Sequence, residues 1–178
     1  MEFLTQIERK VLEWTKGMVH LPKSARTWLG ENVWWIVAVV VVISAIAALF
    51  SLVGLIGILS LDTVAKAYYA SSVFTTWALI TGLVGLVFTV AEVILMGMAV
   101  QPLKAKQKKG WVLLFATWLV GVVAVVVNAI LTLNPLGFIL GVIFGAIWSA
   151  IIGYFLFEIH GEFAHVEKSR GTKKKKTA

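Results

Sequence analysis

Apolar and polar positions along the chain separate into long blocks instead of alternating. Four runs, Val33–Leu61, Val73–Val100, Trp111–Leu133 and Leu136–Phe157, are almost wholly apolar, and all but the second lack any charge. Each reaches the length of about 20 residues that a helix needs to cross a bilayer. Barrel strands alternate over about 10 residues, whereas these runs are apolar on every side. In hydrocarbon such a segment must satisfy its own backbone, so helices are expected. Ahead of the first run, Leu4, Ile7, Val11, Trp14, Met18 and Leu21 are spaced 3, 4, 3, 4, 3, with Glu8, Arg9, Lys10, Glu13 and Lys16 between them. That pattern predicts an amphipathic helix stopped by Pro22. It could lie in the membrane interface or form a coiled-coil seam with a partner; an adjacent membrane and only about three heptads favour the interface. The expected fold is therefore all-α: an integral membrane four-helix bundle preceded by an amphipathic interfacial helix. Residues 1–32 form the arm, 33–159 the transmembrane domain and 160–178 a basic tail.

Within the spans, small and polar residues recur at helical spacing. Gly137, Gly141, Gly145, Ser149 and Gly153 fall every four residues in the fourth span. Such a row lets another helix approach closely, and the two-residue link Asn134–Pro135 makes the third span its expected neighbour. Asn134 suits a helix cap and Pro135 a first helical turn. The first run exceeds the bilayer thickness and must tilt, protrude or break, with Gly54–Gly57 the expected break. In the second span Ala78, Gly82, Gly85, Thr89 and Glu92 are spaced 4, 3, 4, 3, so the one acid shares the face of the small residues. A carboxylate at membrane depth costs about 3 kcal/mol on insertion scales, so that face is expected to turn inward. Matching depths offers Ser44, Thr117 and Tyr154 as its hydrogen-bond partners. Asn128 follows Thr117, Gly121 and Ala124 at spacings 4, 3, 4. It is expected to join helices nearer the other leaflet, apart from Glu92.

Composition agrees with the pattern. The chain is 60% hydrophobic and 14% charged, with a mean hydropathy of +0.92, which excludes an ordinary water-soluble domain. Charge then orients it. Lys and Arg number five in Met1–Asn32, one in Asp62–Ser72, four in Gln101–Gly110, none in Asn134–Pro135 and six in Glu158–Ala178. Fifteen thus fall on one side and one on the other, which predicts cytoplasmic N- and C-termini. Trp34, Trp35 and Trp111 at one level, and Tyr68, Tyr69 and Trp77 at the other, suit interfacial belts. No cleavable signal peptide is apparent, so the first span is expected to direct insertion. The like-charged Lys173, Lys174, Lys175 and Lys176 are expected to be disordered and to meet anionic lipid. The membrane accounts for the net charge of +7, and no nucleic-acid motif accompanies it.

Chemistry is sparse. The chain has no cysteine, so disulfides, thiolate sites and cysteine nucleophiles are excluded. Glu158, His160, Glu162, His165 and Glu167 crowd the end of the fourth span, and Glu162 with His165 has a spacing used in carboxylate-bridged metal centres. A second such pair is missing, so a polar helix cap is expected, with no metal or cofactor. No acid, base and nucleophile cluster, so no enzyme is expected. The stretches Val93–Phe115, with its basic loop and Trp111, and His20–Trp35 resemble a family of small four-span bacterial membrane proteins. That resemblance implies a bacterial inner membrane and brings no site residues. The small multidrug exporters are a poorer comparison, since their acid lies in the first span and their charge bias is weak. Two functions are expected. The preferred one is a non-enzymatic accessory or scaffold subunit, or homo-oligomer, acting by helix association. The alternative is a small proton- or cation-coupled transporter or channel using Glu92.

Overall fold

The computed structural model describes residues 19–68, 73–132 and 134–164 and, in the arm, residues 6, 7, 10, 11, 13 and 17. Four long helices dominate: α1 (Lys23–Tyr68), α2 (Val73–Lys104), α3 (Lys108–Leu131) and α4 (Pro135–Glu158), followed by the short α5 (His160–Ala164). Each of the four has a stretch long and apolar enough to cross a membrane, with mean hydropathies of 3.0, 2.3, 2.4 and 2.2. The all-helical, bundle-like packing runs in chain order: α1 on α2, α2 on α3, α3 on α4, while α1 and α4 scarcely meet. Of the four, α3 is the most enclosed, with 17% of its spanning window buried against 6% in each of the others. Large apolar side chains cover the outside, among them Phe50, Val87, Phe144 and Trp148. Their exposure is expected of surface that faces acyl chains.

The first helix departs from expectation. It begins directly after Pro22, where the carbonyl accepts from Ala25 and Arg26, and continues for 46 residues. At helical rise that is about 69 Å, more than twice the roughly 30 Å of hydrocarbon in a bilayer. Gly54–Gly57 does not break it. Neither glycine adopts a positive φ, and Leu55 between them is buried against Gly82 of α2. Glycine lowers helix propensity but ends a helix only where the backbone turns.

The connections follow local rules. α2 stops in a motif where Lys106 takes φ 50, its amide donating to the Leu103 carbonyl, and the Gln107 amide donates back to Pro102. These are the paired bonds of a Schellman ending, with lysine where glycine is usual. Gly110 permits the return: a Cβ there would stand 2.6 Å from the Leu103 nitrogen. Between α3 and α4, Asn134 accepts from the Leu136 amide at 3.0 Å and Pro135 occupies the first turn.

The densest packing lies at the basic end, where the α2–α3 connection, α5 and the lead into α1 converge. Trp111, Phe115, Leu103, Phe157 and Phe163 are its centre. Trp111 is fully buried, stacked on Phe115 and donating to the Leu156 carbonyl at 2.9 Å, so it is a core residue and no interfacial anchor. Trp35 remains partly exposed, and Lys104 lies over the Trp34 ring. Trp77 donates to the Leu131 carbonyl at the opposite end. The amphipathic arm falls mostly outside the described residues; Ile7 and Val11 from it pack against the buried cluster. Tyr69, His165, Glu167 and Lys173–Lys176 also lie outside them.

Candidate functional site

Three helices meet around an open recess of about 470 Å³. Ser51, Gly54, Leu55 and Ile58 of α1 form one wall, and Ala124 and Asn128 of α3 form the other. The floor is the face of α2 carrying Gly82, Gly85, Thr89 and Glu92. The helical period explains the floor, because those four positions share one side of α2. Gly82 lies under Leu55, whereas nothing stands within 4 Å of where a Gly85 side chain would begin.

Glu92 sits at one end of this recess. It is partly buried, with Oε1 3.2 Å from the point where a Gly121 Cβ would stand. A side chain at Gly121 would therefore press on the carboxylate. Among the described residues Glu92 makes no hydrogen bond and no ion pair. None of the partners expected from depth bonds to it. Thr117 donates to the Leu113 carbonyl of its own helix at 2.9 Å. Tyr154 reaches the Val19 carbonyl at 2.8 Å, at the basic end. Ser44 is not among the lining residues. Depth along the sequence locates a residue only along the helix axis; the rotation of each helix decides which side chains meet.

Asn128 also differs from expectation. Its amide donates to the Ala124 carbonyl one turn back at 2.9 Å, so it does not bridge helices. It shares the recess with Glu92 instead of lying apart from it. Thr89 donates to the Gly85 carbonyl and Ser51 to Ala47, again within their own helices. The recess thus gathers four polar side chains whose bonds all run along their own helices or are unmade.

The glycine row of α4 meets α3 over part of its length. Gly145 receives Val125, Gly153 lies against the Trp118 ring, and Trp118 donates to the Ser149 carbonyl at 2.8 Å. Gly137 touches Thr132 and Asn134 of its own hairpin, and Gly141 has nothing within 4 Å.

A second cluster centres on Glu158, where the sequence predicts only a polar cap. Its side chain is 5% exposed and accepts from His20 Nδ1 at 2.6 Å and from the Leu21 amide at 3.1 Å, with Arg26 Nε at 3.8 Å. Arg26 Nε is buried without a hydrogen-bond partner. Next to it Thr27 donates to Glu162 at 3.4 Å, and Gly30 leaves room for the Glu162 side chain. Glu158 and Glu162 are therefore held by α1 and its lead, and no group of three metal-binding side chains occurs among the described residues. The signal that could have found this cluster is weak: a charge at the mouth of a span, with basic partners more than 130 residues away.

Four apolar helices of spanning length define the class as a membrane protein, by length and composition. No family model, curated protein or solved structure matches the chain.

Proposed function

We propose that this chain is a non-enzymatic membrane protein that works by helix association, as an accessory or scaffold subunit or a homo-oligomer. The observation that carries the reading is the glycine-floored recess with its unpartnered acid. A helix bundle complete in itself would cover Gly85 and give Glu92 a hydrogen bond, since packing and polar contacts hold helices together in lipid. Here the floor of α2 is open between its two neighbours, and α4 lies on the far side of α3. The orientation proposed is that of a bacterial inner-membrane protein with both termini cytoplasmic, supported by the Lys and Arg count on either side. The tail lysines would then face anionic lipid.

The absence of cysteine makes the test direct. Single cysteines at Ser51 and Gly85 should form crosslinks to another chain in native membranes, and the protein should leave mild detergent as a complex. A lone monomer with no crosslink through the recess would defeat the reading.

A second reading is favoured by the sharing of one recess by Glu92, Thr89, Asn128 and Ser51. Those oxygens suit a proton- or cation-coupled transporter or channel, because ionisable groups within membranes commonly mark ion paths. Flux into proteoliposomes that falls in Glu92→Gln would support it; flux that is absent or indifferent to the substitution would remove it.

A further inference from the structure

The lining of the recess says more about its occupant than its shape does. Ser51 and Thr89 each donate their only hydroxyl hydrogen to a carbonyl of their own helix, to Ala47 and Gly85 respectively. Asn128 gives one of its two amide hydrogens to Ala124, which leaves the other as the one free hydrogen among these four side chains and Oδ1 without a donor. Glu92 contributes two further oxygens with no partner among the described residues. The surface is therefore rich in lone pairs and poor in hydrogens, and a carboxylate is its strongest acceptor. The matching chemistry is a basic side chain, which supplies hydrogens and positive charge together.

The long helices of this chain do not supply that group to themselves or to a second copy. The basic residues of its long helices are Lys23, Arg26 and Lys66 in α1, Lys104 in α2, and Lys108 and Lys109 in α3. Five of these six stand at the basic end, and Lys66 lies beyond the other end of the α1 apolar run. Glu92 is twelve residues, about 18 Å along the helix, from Lys104. Among the described residues no lysine or arginine shares its depth. The recess also has the form of a helix seat. Its floor from Gly82 to Glu92 is about 15 Å long at helical rise, and Gly54, Gly82, Gly85 and Ala124 keep its surface low.

We infer that the recess receives a membrane-spanning helix of a different chain that carries a lysine or arginine at the depth of Glu92. The inference rests on the helix-association reading and names the partner's chemistry. The charged side chain meets the Glu92 carboxylate, with Asn128 Oδ1 and the hydroxyls of Thr89 and Ser51 around it, while the partner backbone lies over Gly85.

The test uses the full chain in nanodiscs, with a single cysteine at Thr132 carrying a fluorescence acceptor. Donor-labelled synthetic Leu/Ala helices carry a lysine at the matching depth, leucine at that place, or a lysine one and a half turns away. The matched lysine helix should bind at least tenfold tighter than either control, and Glu92→Gln should abolish the preference. Gly85→Leu, which fills the floor without altering charge, should weaken all three helices; near-ultraviolet circular dichroism checks that both variants are folded. Equal binding of the lysine and leucine helices would overturn the inference and leave association itself standing. With the donor placed instead on half of the copies, energy transfer between copies and none from any helix would overturn it in favour of a homo-oligomer. Glu92-dependent binding of free dodecylammonium, with no helix bound, would overturn it in favour of a small cation. No transfer to any helix or copy would defeat the association reading as well.

Discussion

Individual glycines in α4 look alike in the sequence and differ sharply in the structure. A methyl group at Gly145 would strike Val125, and one at Gly153 would stand 3.1 Å from the Trp118 ring, whereas Gly141 faces open space. Gly145→Ala should therefore cost about 1–3 kcal/mol, as overpacking does, while Gly141→Ala should be close to neutral. Reversible unfolding in mixed micelles separates the two. Glu158 makes the other residue-scale case. Glu158→Ala removes the acceptor for His20 and the Leu21 amide, and leaves the buried Arg26 Nε without the carboxylate beside it. A loss of about 2 kcal/mol is expected, set by hydrogen bonds to a charged group and moderated by the partial exposure of His20 and Arg26. Hydrogen exchange at the Leu21 amide should accelerate in the same variant, and Glu158→Gln, which keeps an acceptor, should fall between.

Helix ends carry the next set of expectations. Lys106 occupies a left-handed position that costs an L-residue roughly 1 kcal/mol more than glycine. Lys106→Gly should accordingly stabilise the α2–α3 connection by about that amount, since the Glu31 ion pair it gives up is exposed and worth little. Gly110→Ala should do the reverse and more, because its neighbour is the backbone at Leu103, which cannot rotate away. Thermal unfolding of the two variants in one detergent checks both signs. Element existence was legible in the sequence because twenty apolar residues admit one economical structure in lipid. Asn134 and Pro135 were legible for a similar reason: their roles depend on adjacent atoms alone. Helix rotation was not legible. The faces of α1, α3 and α4 are all apolar, so little in the pattern says that Tyr154 turns toward Val19 or that Asn128 bonds within its own helix. The unbroken course of α1 is not legible either, because Gly54 and Gly57 end a helix only where φ turns positive.

At the scale of the molecule, the lead into α1, the 101–110 connection and α5 gather at one end. Cysteines placed at Val19 and Gln107 should thus react with an impermeant maleimide from one side of a sealed vesicle, and one at Thr132 only from the other. Labelling of all three from a single side would contradict a four-span path. The serial packing also dictates an order of construction. Each long helix rests on the one made just before it, so the row can assemble while the ribosome is still adding residues. The bond between His20 and Glu158 joins positions 138 apart and must wait until the end of α4 has been made. Translation halted before that point would yield spans already side by side but a base still unfastened.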